Sequence, residues 1–496
     1  MPTVIHPEML WLCIHLPHLS LEVFSRGDAT GIPLVVAERE KGSQARMRII
    51  DTGSGAREAG IGPGMPLGAA YALMPDLKVK ERDKASEGAS LERLASWAGQ
   101  FTPVVSLSPP RGLLLEVAGS LTLFNGVKAL TDRAREGLSR LGYRAVLSLA
   151  PTPRAAELFA SSGLEVLISD PHELRERLAA LPLSSLDLPP NDLEALHGMG
   201  LRCLDDCLRQ PRGGLARRFG KALLEELDRA MGNRPDPRHR FNPPSRFETR
   251  LELPAEVSNT EALLFAIRRC LLELSGYLKS KGSGVRELRL ELFHRGEGPR
   301  SRVSPLTLNL VTPSRNTRHL LILFRERLDR HTPPAPVLGL GLSADRIEPL
   351  RPRNLQLFEA TLQPERDWAH LIERLKAHLG NHAVQRLRLV AEHRPERASI
   401  SCDVGEKDVP GPNPRFGPRP LWLVPEPVSL RESGKKPVLK GALTLLSGPE
   451  RIESGWWDGE DVARDYFVAT DPHGTRLWIF REREGAKRWF LHGIFA

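Results

Sequence analysis

The chain has 496 residues, 41% hydrophobic and 26% charged, with a formal net charge of +9 and five cysteines. That length exceeds one ordinary core and calls for several domains of roughly 100 to 200 residues each. No run of about 18 apolar residues could span a bilayer, the N-terminus has neither a basic leader nor a small-residue cleavage site, and scattered cysteines make no disulfide framework; a soluble protein of a reducing cytoplasm, without a membrane partner, is expected.

In chain order, residues 8–165 read as an α/β unit in which short apolar strands (LWLCIHL, PLVVAE, PVVSLS, GLLLEVA, YRAVLSLA) alternate with helical patterns such as SLERLASWAGQF and VKALTDRAREGLSRL. A Gly-rich subdomain, TGSGAREAGIGPGMPLGAAYALMP, is inserted within it. It lacks the Gly-Lys-Ser/Thr ending of a phosphate loop, so nucleotide hydrolysis is not expected. From Leu181 short helices punctuated by Pro and Gly indicate a compact helical domain, and NRPDPRHRFNPPS at 233–245 suits an extended linker.

The order βαββαβ follows: strand FETRLELP, a helix from Thr260 to about Lys281, strands VRELRLELF and PLTLNLV, helix RHLLILFRERLDRH and strand VLGLGLSA. Residues 246–353 hold 19 Lys+Arg against 12 Asp+Glu, so +7 of the +9 lies in this block. A polyanionic partner and a plainly solvated basic face both account for that. A second linker, GEKDVPGPNPRFGPRP, precedes a segment with five of the eight tryptophans, where DYFVAT and RLWIFRE flank DPHG as a hairpin.

The residues at the strand ends carry a resemblance. The N-terminal half resembles the Y-family (translesion) DNA polymerases, whose first palm strand ends in Asp-x-Asp and whose later turn reads Ser-x-Asp-Glu, carboxylates that hold two Mg²⁺ ions. On the first motif stand Ile14-His15-Leu16-Pro17, so His15 and Pro17 fall on acidic positions; on the second stand Ser106-Leu107-Ser108-Pro109, with Ser108 and Pro109 where Asp and Glu should be. Ser20 replaces the bulky sugar gate, Pro153 replaces a lysine expected near the triphosphate, and Ser54 replaces a tyrosine, while Arg57 matches an arginine that would face phosphate. Glu22 and Glu116 lie outside the metal set, and His15 with His18 makes an HxxH without a third ligand. Cys203 and Cys207 likewise lack a second ligand pair. No metal, no cofactor and no polymerase activity are therefore expected; an active translesion polymerase using unrecognised ligands is the alternative.

LEALHGMGLRCLDDCLRQP places Gly198 and Gly200 in a turn between two short helices, resembling the helix-hairpin-helix of the Y-family thumb, with Arg212, Arg217 and Arg218 nearby. A plain helical turn with a glycine cap fits the same residues. The βαββαβ module resembles the little finger that these polymerases lay against duplex DNA, which implies sequence-independent, salt-sensitive binding.

Next, Asn354-Leu355-Gln356-Leu357-Phe358 resembles the bacterial sliding-clamp pentapeptide, with Asn where Gln usually leads. Trp456, Trp457, Trp478, Trp489 and Phe490 serve either as a small core or as a protein-protein hot spot. The whole order resembles the ImuB-type, polymerase-like branch of the Y family. It implies a multidomain α/β and α+β chain with palm (8–27, 78–165), fingers (28–77), helical thumb with helix-hairpin-helix (166–240), βαββαβ little finger (246–350), clamp-binding peptide (351–360) and a small β-rich domain within a C-terminal partner-binding region (361–496). The implied function is a non-catalytic adaptor in the SOS response, mutagenesis and translesion synthesis. Its implied partners are DNA, the β sliding clamp, the RecA-like ImuA and an error-prone C-family DNA polymerase, at the nucleoid.

Overall fold

The computed structural model describes residues 9–26, 33–40, 46–295, 303–330, 333–350, 364–380, 382–404 and 418–495. The chain divides into two units, Met1–His378 and Leu379–Ala496. The first opens with β1 (Trp11–His15), α1 (Leu19–Glu22), β2 (Leu34–Arg39), β3 (Met47–Thr52), α2 (Ser54–Glu58), α3 (Leu67–Leu73) and β4 (Lys78–Glu81). It continues with α4 (Lys84–Ala98), β5 (Val105–Ser108), β6 (Gly112–Glu116), α5 (Leu121–Phe124), α6 (Val127–Leu141), β7 (Val146–Ala150) and α7 (Pro153–Ser161).

The period of two along β1 determines the layering. Leu12 and Ile14 enter a core with Leu94 of α4 and Leu138 of α6, whereas Trp11 and Cys13 enter a second core with Phe159 of α7. A strand buried on both faces belongs inside a sheet, and β1 lies inside the antiparallel order β5-β6-β1-β7. A smaller sheet, β3-β2-β4, has its own core of Val35, Ile49, Ala56, Ile61, Ala70 and Leu77. Here β4 runs parallel to β2, so residues 78–81 complete the inserted subdomain's sheet.

Five short helices, α8 (Pro171–Ala179), α9 (Pro190–Gly198), α10 (Leu204–Leu208), α11 (Arg212–Phe219) and α12 (Lys221–Ala230), close over α7 through Leu178, Leu196, Leu204 and Leu227. Residues 233–245 form neither helix nor strand, as expected for a linker, yet they are tied down. The Phe241 amide donates to the Val105 carbonyl at 2.7 Å, and the Tyr277 hydroxyl donates to Pro244 at 2.9 Å.

The βαββαβ order is realised as β8 (Phe247–Val257), α13 (Thr260–Ser280), β9 (Ser283–His294), β10 (Val303–Ser314), α14 (Thr317–Arg330) and β11 (Val337–Pro349), with sheet order β10-β9-β11-β8. The inward leucines of every strand meet α13 and α14 in one core. This module is keyed to the first sheet's helices. A Cβ on Gly137 of α6 would lie 2.4 Å, and one on Gly276 of α13 2.2 Å, from the Trp97 indole of α4. Only glycines let both helices close on that ring. Beside it the fully buried Arg26 donates to Glu273 of α13, whose second oxygen accepts from Thr249 Oγ1 at 2.7 Å. A further helix, α15 (Pro364–Leu379), packs on the same module through Ala377.

The second unit begins with a hairpin, β12 (Gln385–Leu389) and β13 (Ser399–Asp403). Then come β14 (Trp422–Ser433), β15 (Lys436–Val438), β16 (Thr444–Ser454), β17 (Val462–Thr470), β18 (Arg476–Glu482) and β19 (Trp489–Ile494), a six-stranded antiparallel sheet ordered β15-β14-β19-β18-β17-β16. The expected hairpin is β17 with β18: Asp471 accepts the amides of His473 at 2.9 Å and Thr475 at 2.8 Å, fixing the DPHG turn. No helix among the described residues is long and apolar enough to cross a membrane.

Candidate nucleotide site and nucleic-acid interface

Gly112 at the start of β6 pairs with His15 on one side and Ser108 on the other, so the two strand ends meet at one edge. A Cβ on Gly112 would lie 3.0 Å from the Ser108 carbonyl, so this close approach favours glycine. His15 is held below its ordinary pKa, first by burial and then by the Arg111 cation, which keeps the imidazole neutral at pH 7. Pro17 and Pro109 follow the respective strands and offer no side-chain ligand.

The carboxylate that reaches this edge comes from α7. Ser108 Oγ donates to Glu157 at 2.6 Å, Arg238 donates to both Glu157 oxygens at 2.7 and 3.0 Å, and Arg154 adds a contact at 3.2 Å. Two guanidinium groups and a hydroxyl thus occupy the acceptor capacity a divalent ion would need. This network is invisible to motif and spacing, because Glu157 and Arg238 lie 81 residues apart. A cavity of about 570 Å³ opens here, lined by Cys13, His15, Ser108, Arg154, Glu157 and Asp187 among others.

At the junction with the smaller sheet, where the resemblance set the sugar gate and the phosphate-facing arginine, the side chains are bonded to one another. Ser20 is fully buried and donates to Asp51 at 3.0 Å, His18 Nδ1 lies 2.8 Å from the other Asp51 oxygen, and the Thr52 amide adds 2.9 Å. Burial pushes the Glu22 carboxyl up to about 7 against the opposing bond from the Arg144 amide at 2.7 Å. Arg57, expected to face phosphate, donates back to the Thr52 carbonyl at 2.9 Å. The cavity left between His18, Glu22, Ser54, Arg57 and Arg144 measures about 20 Å³, room for about one water. Asp51 escaped the sequence reading; its role shows only when β3 sits beside α1. Glu116 is spent on the amides of Leu10 and Ala118, at 3.3 and 3.0 Å.

The helical hairpin forms, with Gly200 at φ +82° and open space around both glycines. Its amides, however, are already engaged: Met199 donates to Ala195, Gly200 to His197 and Leu201 to Leu196, while Arg202 and Cys203 donate to Asp206 at 2.7 and 3.1 Å. Those bonds hold the Asp206 carboxyl below its usual range, setting a negative charge where a phosphate was expected. Arg212 is also committed, to Asp228 at 2.5 Å. Arg217 and Arg218 are exposed at the end of α11, and no carboxylate of the described residues pairs with them.

The outward face of the βαββαβ sheet carries charges of both signs. The register sets Glu248, Arg250 and Glu252 of β8 on the side opposite Leu251 and Thr249, together with Glu287, Arg289 and Glu291 of β9. On β8 and β9 four carboxylates thus accompany two guanidiniums, one of which, Arg289, lies 3.1 Å from Glu291, and Arg346 of β11, opposite Glu287, adds a further cation to this face. Other cations of this block lie on α14, as Arg318, Arg325 and Arg330, and in the connections between elements, as Arg246, Lys281, Arg295 and Arg315.

Residues 354–358, the expected clamp peptide, lie outside the described residues. In the second unit, Trp478 and Trp489 are buried in the sheet's cores and Phe490 packs on one of them, so all three act as structure. Trp456 and Trp457 are exposed, 79% and 57%, in edge-to-face contact at 5.6 Å. Arg394 braces their turn by lying over Trp457 and binding both Asp458 oxygens, at 3.0 and 2.6 Å.

Comparison with known proteins agrees with this geometry. The impB/mucB/samB family pattern matches residues 19–161. Protein ImuB of Caulobacter vibrioides, from each of two strains, is 30% identical over 464 residues, covering 88% of this chain and 100% of the relative. The chain belongs to the ImuB family. Among solved structures, the insertion ternary complex of Dbh DNA polymerase is similar at 18% identity and a TM-score of 0.41, and DinB from Sulfolobus solfataricus at 19% and 0.39. Each covers 69% of this chain and 100% of its own. The chain joins mixed helices and sheets in its first unit to a β-rich second unit.

Proposed function

We propose that this protein is a polymerase-like adaptor in error-prone translesion synthesis that transfers no nucleotide itself. The observation that carries the reading is the strand edge: His15 and Ser108 stand on the positions of metal-binding carboxylates, and the acid that reaches them, Glu157, is neutralised by Arg238 and Arg154. Two-metal clamping contributes several kcal/mol to the transition state, and each ~1.4 kcal/mol is tenfold in rate. Without that clamp the reading leaves DNA holding and recruitment. Purified full-length chain on a primed template with Mg²⁺ or Mn²⁺ is expected to give no extension; template-directed incorporation overturns the reading.

Recruitment to the sliding clamp rests on Asn354-Leu355-Gln356-Leu357-Phe358. Leu357→Ala combined with Phe358→Ala is expected to abolish clamp binding while leaving DNA affinity within about twofold, since hot-spot residues dominate such contacts. Equal clamp affinity in the double variant rules the peptide out. Capture of ImuA and of a C-family polymerase is assigned to the region 361–496, where two surfaces support it. Trp456 and Trp457 project from a braced turn, and Trp368, Leu371 and Leu375 form an exposed apolar row along α15.

A further inference from the structure

We propose that His319, His370 and Glu373 form a transition-metal site, with zinc the ion it fits best, joining α14 to α15. His319 lies in the first turn of α14, 5% exposed; Glu373 lies on α15, 3% exposed; His370 precedes it by three residues and so lies on the same helical face. Glu373 Oε2 is 2.5 Å from His319 Nε2, and the two imidazoles stack with centroids 3.8 Å apart. One ligating atom from each residue lies within 4.8 Å of the others. An ion with bonds of about 2.0 to 2.2 Å asks for ligand separations of about 3.4 Å in a tetrahedron, so on binding it His319 Nε2 and Glu373 Oε2 part by about 0.9 Å and the ion replaces the proton they share.

Three features distinguish this cluster from a chance meeting of polar groups. The Glu373 carboxylate is aimed by its surroundings, because its other oxygen accepts the Val311 amide at 2.7 Å; such outer bonds fix a ligand's direction. The donor set is two imidazoles and one carboxylate, which suits zinc and its neighbours over magnesium or calcium, whose ligands are oxygens. Two helices that are distant in sequence supply it, so an ion held here fastens α15 onto the βαββαβ module. Lys376, buried one turn further along, places a cation against Glu373, so the imidazoles must supply much of the hold. A fourth position is left for water.

The test uses untagged full-length protein, stripped with a chelator, titrated with Zn²⁺ or Co²⁺ in millimolar Mg²⁺ and desalted. About one zinc per chain is expected to remain by elemental analysis, and cobalt is expected to show the absorption bands of a tetrahedral ion. His370→Ala removes a half-buried ligand with little demand on folding and is expected to weaken zinc binding at least tenfold, as is Glu373→Gln. Circular dichroism and DNA affinity of His370→Ala should stay unchanged. Failure of the wild-type chain to retain zinc overturns the site, and so does retention of equal zinc by a folded His370→Ala chain, which places the ion elsewhere.

Discussion

Single residues decide how the junction between α1 and the smaller sheet responds to pH. Glu22 titrates there, since burial lifts its carboxyl from the ordinary 4.5 to about 7. The native state therefore holds a proton that the unfolded chain releases above about 4.5, and Glu22 contributes stability that is fully present below that pH and lost as pH rises toward 7. Glu22→Gln is expected to raise the stability of the first unit at pH 8 by on the order of 3 kcal/mol, with no gain at pH 4. Thermal melts across that range check it, and a gain independent of pH refutes the assignment. The assignment of His15, Pro17, Ser108 and Pro109 to acidic positions is a reading of sequence alone, made position by position against a motif, and the strand ends that carry His15 and Ser108 do meet. Asp51 and Glu157 were not legible, because their meaning lies in long-range pairing that spacing does not encode.

At the scale of elements, alternation of period two and the Pro/Gly punctuation revealed strands, helices and their order, including both little-finger helices and the DPHG hairpin. What alternation could not say is which charges share a face. The surplus of lysine and arginine in 246–353 is a property of the whole block, whereas the register sets four glutamates among the cations on the open side of the sheet. The hairpin of α9 and α10 shows the same gap: its glycines were legible, but Asp206 taking its amides was not. On the proposed function, DNA contact is expected to rest on exposed cations such as Arg217 and Arg218. Arg217→Ala with Arg218→Ala is expected to weaken DNA binding and to lower the slope of log K against log salt by about 2, one for each lost phosphate contact. An unchanged slope, measured by fluorescence anisotropy from low to moderate salt, removes these two from the interface.

Across the first unit as a whole, the βαββαβ module is fastened to the first sheet's helices at three places: the Trp97 indole between Gly137 and Gly276, the buried Arg26 with Glu273, and the strap at 233–245. Removing one partner of a buried pair leaves the other charged without compensation, a cost of about 3 to 5 kcal/mol. Glu273→Gln is therefore expected to loosen the module and to speed proteolysis within 233–245 by more than tenfold. Equal cleavage of the variant and the parent protein means that the ion pair does not hold the module. The strap read from sequence as a free linker because proline-rich composition describes local stiffness and says nothing about distant acceptors such as Val105.

The cluster of His18, Ser20 and Asp51 also bears on what redesign of this chain would take. A nucleoside triphosphate asks for a pocket of roughly 300 Å³ or more, against the ~20 Å³ left beside that cluster. On the proposed reading, aspartates placed at positions 15 and 108 would put carboxylates into the roomier cavity at the strand edge while leaving the junction with the smaller sheet as crowded as before. Installing synthesis therefore asks for coordinated change on two separate sheets, and neither half is expected to yield incorporation without the other.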